Sequence, residues 1–150
     1  MSPLVPLFRR FIVLAVTLLL PAAAAFAAPA EVGPQEAQAR ASAGKLTLID
    51  VRTPPEWRET GVAPGVARID MNHPGGADGF MKAVLERVGG DRDAPIAFIC
   101  RSGNRSGQVQ RFLAAQGFTQ VQSVAEGMSG SAAGPGWIKR GLPVEPCNRC

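Results

Sequence analysis

Short apolar runs alternate with segments of helical periodicity along most of this chain. Runs of strand length, or strand-like alternation, predict four strands, over residues 46–51, 66–71, 95–99 and 120–124. Helical spacing or helix-favouring composition predicts helices over residues 34–43, 79–88 and 107–116, with one further turn at 56–59. Strands that alternate with helices predict an α/β fold in which a small central parallel sheet is flanked by helices on both faces.

The most informative stretch follows the apolar run 95–99, which has the length of one buried strand. This stretch, CRSGNRS, consists of Cys100, Arg101, Ser102, Gly103, Asn104, Arg105 and Ser106. We call it the cysteine loop, and a helix is predicted to follow it and to end at Gly117. Ligands of parallel sheets bind beyond the carboxyl ends of the strands, and both this loop and Asp50-Val51-Arg52 are predicted to lie at such ends.

The residues around Cys100 favour a thiolate over a thiol. A loop of small residues turns its backbone N–H groups inward, and the dipole of the following helix adds partial positive charge. Arg101 and Arg105 add two full charges. Because the thiolate is the nucleophilic form of cysteine, we interpret Cys100 as a reactive residue, with a buried structural cysteine as the weaker alternative.

The N-terminal part of the chain has the features of an export signal. Arg9 and Arg10 precede an apolar stretch at 11–20, which is too short to span a membrane, and Ala25-Phe26-Ala27 fits a small-x-small cleavage site. We therefore predict a signal peptide over residues 1–27, a periplasmic or secreted location, and no stable membrane association after cleavage. An uncleaved N-terminal anchor is the alternative.

Length and charge limit the remaining possibilities. Cleavage after residue 27 leaves 123 of the 150 residues, which is enough for one domain but too few for two. The predicted order is a short linker at 28–33, a domain at 34–144 and a cysteine-containing segment at 145–150. The formal net charge of +4 falls to about +2 without residues 1–27. The basic residues are also scattered, so nucleic acid is not an expected partner.

The three cysteines of the chain are Cys100, Cys147 and Cys150. In an oxidising compartment, an odd number leaves at least one thiol unpaired within a monomer. Cys147 and Cys150 are near enough in sequence to pair, as an inert disulfide or as an active redox pair, and Cys100 would then be the free thiol. His73 is the single histidine, so we expect no metal site and no cofactor.

Several short motifs occur at the predicted strand ends and in the loops. In chain order they are Asp50-Val51-Arg52, Pro55-Glu56-Trp57, the loop from Gly61 to Pro64-Gly65, the cysteine loop, Gly127, Trp137 and Gly141-Leu142-Pro143. Together they resemble a single-domain rhodanese, a thiosulfate-type sulfurtransferase, over residues 36–144. The cysteine loop is the most specific of these motifs.

This resemblance implies a small α/β domain that carries sulfur on Cys100. Attack of Cys100 on the outer sulfur of a small anionic donor would give a persulfide, which passes its sulfur to a thiol or cyanide-like acceptor, including a protein thiol. Residues 101–106 would form the loop that binds the donor and stabilises the anionic sulfur. Asp50 and Arg52 are expected to form a structural ion pair below the loop, with a direct catalytic role as the alternative.

Two other functions compete with sulfur transfer. Four residues separate Cys100 from Arg105, whereas phosphatases of this fold type use five to hold a tetrahedral phosphate. The shorter spacing favours sulfur over phosphate or arsenate, so a phosphatase or arsenate reductase is the less favoured hypothesis. The other alternative is a non-catalytic sulfur- or thiol-relay module that docks a partner protein through the CNRC sequence of residues 147–150.

Overall fold

The computed structural model describes residues 30–150, so the predicted signal peptide lies outside the described residues. The strands are β1 (Glu31–Val32), β2 (Thr47–Asp50), β3 (Ala67–Arg68), β4 (Ile96–Ile99) and β5 (Val121–Val124). The helices are α1 (Pro34–Ser42), α2 (Pro54–Thr60), α3 (Gly76–Arg87), α4 (Asn104–Ala115) and α5 (Gly136–Lys139). All strands pair in parallel, in the order β1-β5-β4-β2-β3, which confirms the predicted α/β architecture.

The sheet separates two apolar cores, and the alternation of side chains along each strand decides which core a residue enters. On β4, Ile96 and Phe98 pack into the core formed with α3 and α4, whereas Ala97 and Ile99 pack into the opposite core. The opposite core is closed by α1 and by Trp137 of α5. Helices therefore cover both faces, as burial of a parallel sheet requires.

Several elements differ from the predicted ones: β3 is limited to Ala67–Arg68, α3 begins at Gly76, and α5 was not predicted. The predicted linker at 28–33 contains β1, in which Glu31 and Val32 pair with β5. Two residues are too few to show a periodicity, which is why the sequence did not reveal this edge strand. Helix α4 begins at Asn104 rather than at residue 107, so the last three residues of the cysteine loop belong to the helix.

Strand β5 buries two polar side chains that form hydrogen bonds to the flanking helices. The side-chain oxygen of Gln122 accepts a hydrogen bond from Arg40 on α1 (2.8 Å), and the Ser123 hydroxyl donates to Ser106 on α4 (2.9 Å). Buried polar groups cost little when they are hydrogen-bonded. These two residues therefore connect β5 to one helix on each face.

The carboxyl ends of β2 and β4 meet at one edge of the sheet. The two strands are neighbours, with Asp50 opposite Ile99, and the Val51 N–H donates to the Ile99 carbonyl (2.9 Å). Asp50-Val51-Arg52 and the cysteine loop therefore lie side by side, as the sequence predicted. Among residues 30–150, no helix combines the length and apolarity needed to cross a membrane.

Candidate active site

Cys100 is the first residue after β4 and continues the alternation of that strand. It enters the core formed with α3 and α4 and is 1% exposed. The Gly103 N–H donates to its Sγ at 3.2 Å, and the Ser106 hydroxyl lies 3.5 Å from the sulfur. Several loop amides were predicted to face the sulfur. Among residues 30–150, the Gly103 amide is the one that donates to Sγ. The N-terminus of α4 lies directly beyond, where the helix dipole favours negative charge.

Gly103 holds the cysteine loop in a conformation that other residues rarely adopt. Its φ is +86°, and it forms the N-cap of α4. A Cβ atom at this position would lie 1.9 Å from the carbonyl oxygen of Ala125, far inside van der Waals contact. Glycine is therefore required both for the left-handed turn and for the close approach of the two backbones, and this turn aims the amide at Cys100.

Ser106 and Ser123 form a hydroxyl relay behind the sulfur. Ser106 is fully buried and donates to the Gly103 carbonyl (3.0 Å), while it accepts from Ser123 (2.9 Å). To donate to an anionic Cys100, the single Ser106 proton would have to leave the Gly103 carbonyl, while the hydrogen bond accepted from Ser123 is kept. Ser123 was not predicted as a site residue. The sequence signal that could have indicated Ser123 is a small polar residue within the predicted strand 120–124.

The segment 125–129, which follows β5, supports the cysteine loop from below. The N–H groups of Met128 and Ser129 donate to the carbonyls of Cys100 (2.8 Å) and Arg101 (2.9 Å). Gly127, with φ of +66°, packs so tightly that a Cβ atom would lie 2.5 Å from the Arg101 carbonyl oxygen. The loop backbone is thus fixed by a second segment as well as by α4.

Glu126 anchors that supporting segment to α5. Its carboxylate accepts from the Gly136 N–H (2.9 Å) and from two nitrogens of Arg140 (2.7 Å each). The hydrogen bonds from Arg140, together with that from Gly136, lower the pKa of Glu126. The segment 127–136, which is rich in glycine and other small residues, is therefore closed by one carboxylate.

Arg105 is paired with a carboxylate rather than open to a donor. Its guanidinium forms two hydrogen bonds to Glu56 of α2, at 2.8 and 2.5 Å. Glu56 also accepts from the N–H and hydroxyl of Thr53, completing a capping box at the start of α2. The hydrogen bonds from Arg105, followed by those from Thr53, lower the pKa of Glu56 to about 2. Arg105 therefore joins α4 to α2, and its role in donor binding stays a prediction.

Asp50 and Arg52 form the buried ion pair that was expected beside the loop. Arg52 donates to both carboxylate oxygens of Asp50, at 2.7 to 3.0 Å, and the two residues are 1% exposed or less. The same guanidinium donates to the Thr60 hydroxyl (2.6 Å) and the Gly61 carbonyl (2.8 Å). No hydrogen bond joins this pair to Cys100 in the part of the chain that the structure describes, so the geometry fits a structural role.

The remaining loop side chains face solvent. Arg101 is exposed and has no ion-pair partner among residues 30–150. It borders a small recess together with Arg52, Glu59 and Ser129. Ser102 and Asn104 are exposed as well, and the Asn104 side chain accepts a hydrogen bond from Gln108. Arg101 is therefore the cation of this loop that is free to meet an incoming anion.

Comparison with known proteins agrees with this geometry. Residues 33–133 match the Rhodanese-like domain family. The chain belongs to the rhodanese-like domain family. An uncharacterised protein of Rickettsia prowazekii is 29% identical over 106 residues, covering 64% of this chain and 80% of that protein. A protein of Allochromatium vinosum named sulfurtransferase is 28% identical over 99 residues, covering 66% and 78% of the two chains.

A solved structure shows the same fold. The crystal structure of an M. tuberculosis protein superposes on this chain with a TM-score of 0.64 at 28% identity, covering 80% of this chain and 99% of that one. One relative of this chain is named a sulfurtransferase, and the cysteine loop lies at a strand-to-helix junction within the matched residues 33–133.

The two other cysteines of this rhodanese-like chain lie in a separate cluster. Cys147 and Cys150 form a disulfide with a Cα–Cα distance of 5.6 Å. Cys147 packs against Trp57 and Val62, whereas Cys100 belongs to the core under α3 and α4. Within residues 30–150, no group of three or more His, Cys, Asp or Glu side chains is arranged to hold a metal ion.

We expect Gly103→Ala to destabilise the rhodanese-like fold by at least about 2 kcal/mol, because the new Cβ meets the Ala125 carbonyl in a left-handed conformation. The matched control is Gly107→Ala, one helical turn later, where the new Cβ would meet only the flexible end of Arg111 at 3.4 Å. We expect that control to be unchanged or stabilised by up to about 1 kcal/mol. Denaturant unfolding measures both, and equal stability of the two variants would contradict the proposed backbone constraint.

We expect the Glu56–Arg105 pair to make stability depend on pH in the acid range. The pKa of Glu56 is about 2 in the folded chain against 4.5 ordinarily, so its contribution is complete above the ordinary value and is lost as the pH falls towards 2. Glu56→Gln should therefore cost about 1 to 3 kcal/mol near neutral pH and progressively less in acid. Glu59→Gln, an exposed change on the same helix, is the control. A cost for Glu56→Gln that is independent of pH would refute this assignment.

Proposed function

We propose that this protein is a sulfurtransferase in which Cys100 carries a sulfane sulfur from a thiosulfate-like donor to a thiophilic acceptor. The observation that carries the proposal is the Gly103 amide, which donates to Sγ of Cys100 at the N-terminus of α4. An N–H group and a helix N-terminus at one sulfur stabilise a thiolate, and the helix N-terminus also favours the charge that a persulfide carries on its outer sulfur. The relative named sulfurtransferase supports the same reaction class.

The reaction needs no external oxidant or reductant. The Cys100 thiolate attacks the outer sulfur of thiosulfate, the donor S–S bond breaks, and its electron pair leaves with sulfite. The new S–S bond is the Cys100 persulfide, whose charge rests on the outer sulfur. A thiol or cyanide then attacks that outer sulfur and restores the thiolate. Hydrogen-bond donors that are already in position, such as the Gly103 amide, stabilise the anion without having to reorganise during the reaction.

Arg101 is the residue we assign to donor attraction. It is exposed at the mouth of the site, while Arg105 is held by Glu56. An exposed guanidinium raises the local concentration of a small dianion such as thiosulfate. Cys100 is 1% exposed, so we infer that side chains of the loop move aside when the donor enters.

The paired state of Arg105 disfavours a phosphatase. An arginine that binds a phosphate offers its forked N–H donors to the ligand, and here two of them already bind Glu56. A relay module remains the second candidate, because burial of the Cys100 sulfur suits transfer to a docked partner more than rapid turnover of small molecules. The sulfurtransferase and the relay module differ in whether cyanide removes the outer sulfur of the persulfide once it has formed.

We also propose that the protein acts outside the cytoplasm, since the features of residues 1–27 are those of an export signal. Its partners would be a small anionic sulfur donor and a thiol acceptor. N-terminal sequencing of the protein from its native host tests this location, and a chain that retains residues 1–27 would argue for the anchored alternative.

Incubation with thiosulfate should add the mass of one sulfur atom to the protein, and cyanide should remove it as thiocyanate. Cys100→Ser should show neither change, although it retains Cys147 and Cys150. Intact mass measurement and a thiocyanate assay together check both steps. Stable loading without thiocyanate formation would support the relay module. Sulfur added to Cys100→Ser, or no loading of the natural chain, would end the proposal.

Arg101→Gln should raise the KM for thiosulfate about three- to tenfold with a smaller effect on kcat, because it removes an exposed charge that attracts the donor. The matched control is Arg111→Gln on the exposed face of α4, which changes the net charge equally. The KM difference should shrink as salt is added, since exposed charges are screened. Equal KM values for the two variants would show that Arg101 has no special role.

A further inference from the structure

The segment 145–150 is fastened to the domain at the end of α2. Glu145 forms a two-way backbone bridge with Val62, with N–O distances of 2.9 and 2.8 Å. Cys147 is buried against Trp57 and Val62, whereas Cys150 is only half-buried. One sulfur of the disulfide is therefore enclosed and the other lies nearer to solvent.

A guanidinium group lies on both sulfurs of this disulfide. Arg68, the last residue of the edge strand β3, directs Nη1 to the Sγ atoms of Cys147 and Cys150. Arg58 on α2 binds the same segment differently, through the backbone oxygen of Cys150. A disulfide sulfur is a weak acceptor, whereas a thiolate is an anion that a guanidinium stabilises strongly. The position of Arg68 therefore favours the reduced state of the pair over the oxidised one.

The cluster of Trp57, Val62 and Cys147 also contains a buried N–H donor without an acceptor among residues 30–150. The indole N–H of Trp57, which packs in the cluster of Cys147, is buried without a hydrogen-bond acceptor among the described residues. Both sulfurs accept from Arg68, but neither lies in hydrogen-bond geometry with this indole N–H. The contacts of Arg68 alone therefore distinguish the two redox states of the pair.

We propose that Cys147 and Cys150 form a thiol–disulfide exchange site that accepts two electrons from a dithiol, with Arg68 stabilising the thiolate that leaves. A partner thiolate attacks Sγ of Cys150, the more accessible sulfur. The Cys147–Cys150 bond breaks, and its electron pair leaves on Sγ of Cys147 beside Arg68. The second thiol of the partner loses its proton and attacks the mixed disulfide, which releases Cys150. The partner is oxidised to a disulfide, the pair is reduced, and the two protons of the dithiol pass to the released thiolates or to water.

This site is independent of the sulfur chemistry proposed at Cys100. The disulfide packs in a different cluster from Cys100, and the exchange step uses no residue of the cysteine loop. The test is therefore made in the Cys100→Ser background, where only the thiols of the pair are counted. Loss of the sulfurtransferase hypothesis would leave its outcome unchanged.

The experiment equilibrates the protein in mixtures of reduced and oxidised glutathione, followed by acid quenching, alkylation and intact mass. The midpoint is the ratio of the squared concentration of reduced glutathione to the concentration of oxidised glutathione at which half of the pair is reduced. In Arg68→Gln this midpoint should be about fivefold higher than with Arg68 present, because a charge that stabilises the thiolate is lost. Arg68→Lys, which keeps the charge, should recover most of the shift. Arg58→Gln, which loses a contact to the backbone rather than to sulfur, should stay within about twofold.

Three results would overturn the proposal. One is an unchanged midpoint in Arg68→Gln. Another is an equal shift in Arg58→Gln, which would assign the effect to docking of the segment rather than to the sulfurs. The third comes from trapping with a single-thiol peptide, which cannot resolve the mixed disulfide, on the chain without any Arg68 substitution, and so is informative whatever the stability of the variants. There the mixed disulfide should form on Cys150, and an adduct mainly on Cys147, or no reaction while the chain is folded, would reject the exchange step.

Discussion

One buried guanidinium group determines how the elements around the site are arranged. Arg52 is 1% exposed and distributes its donors between Asp50 at the end of β2 and the Thr60 hydroxyl on α2. A charge in the interior is tolerated only when it is paired and its N–H groups are used. Satisfying this requirement fixes α2 against the edge of the sheet. Glu56 on that helix is then in position to hold Arg105 of α4.

The site therefore has a hierarchy of charges rather than a uniform basic pocket. The innermost cation is neutralised by Asp50, and the next, Arg105, is neutralised by Glu56. Arg101, at the surface, has no ion-pair partner among residues 30–150 and is the residue to which we assign donor attraction. Beside the sulfur itself lie neutral groups, the Gly103 amide and the Ser106 hydroxyl. Neutral dipoles stabilise an anion without creating a competing salt bridge, so a small anion can be bound and released at this position.

The sequence predicted well what depends on periodicity and local spacing. The strand before Cys100, the helix after it and the meeting of two strand ends follow from alternation and connection length. Contacts between distant segments were beyond such reasoning. The pairing of Arg105 with Glu56 needs the docking of α2 on the sheet, and the Ser123 hydroxyl matters only because β5 lies beside β4. Strand β1 was missed because its two residues form a strand only through their pairing with β5, which no local sequence pattern shows.

The contacts of Gly103 with Ala125 and of Gly127 with the Arg101 carbonyl limit how this loop can diversify. Both are backbone-to-backbone approaches with no space for a side chain, so the cysteine loop packs directly on the main chain of the segment 125–129. Lengthening it by one residue, the change that would accommodate a tetrahedral oxyanion, would demand that the turn after β5 be rebuilt as well. Ligand selectivity in this scaffold is thus coupled to a neighbouring turn, and evolution or engineering has to alter the two together.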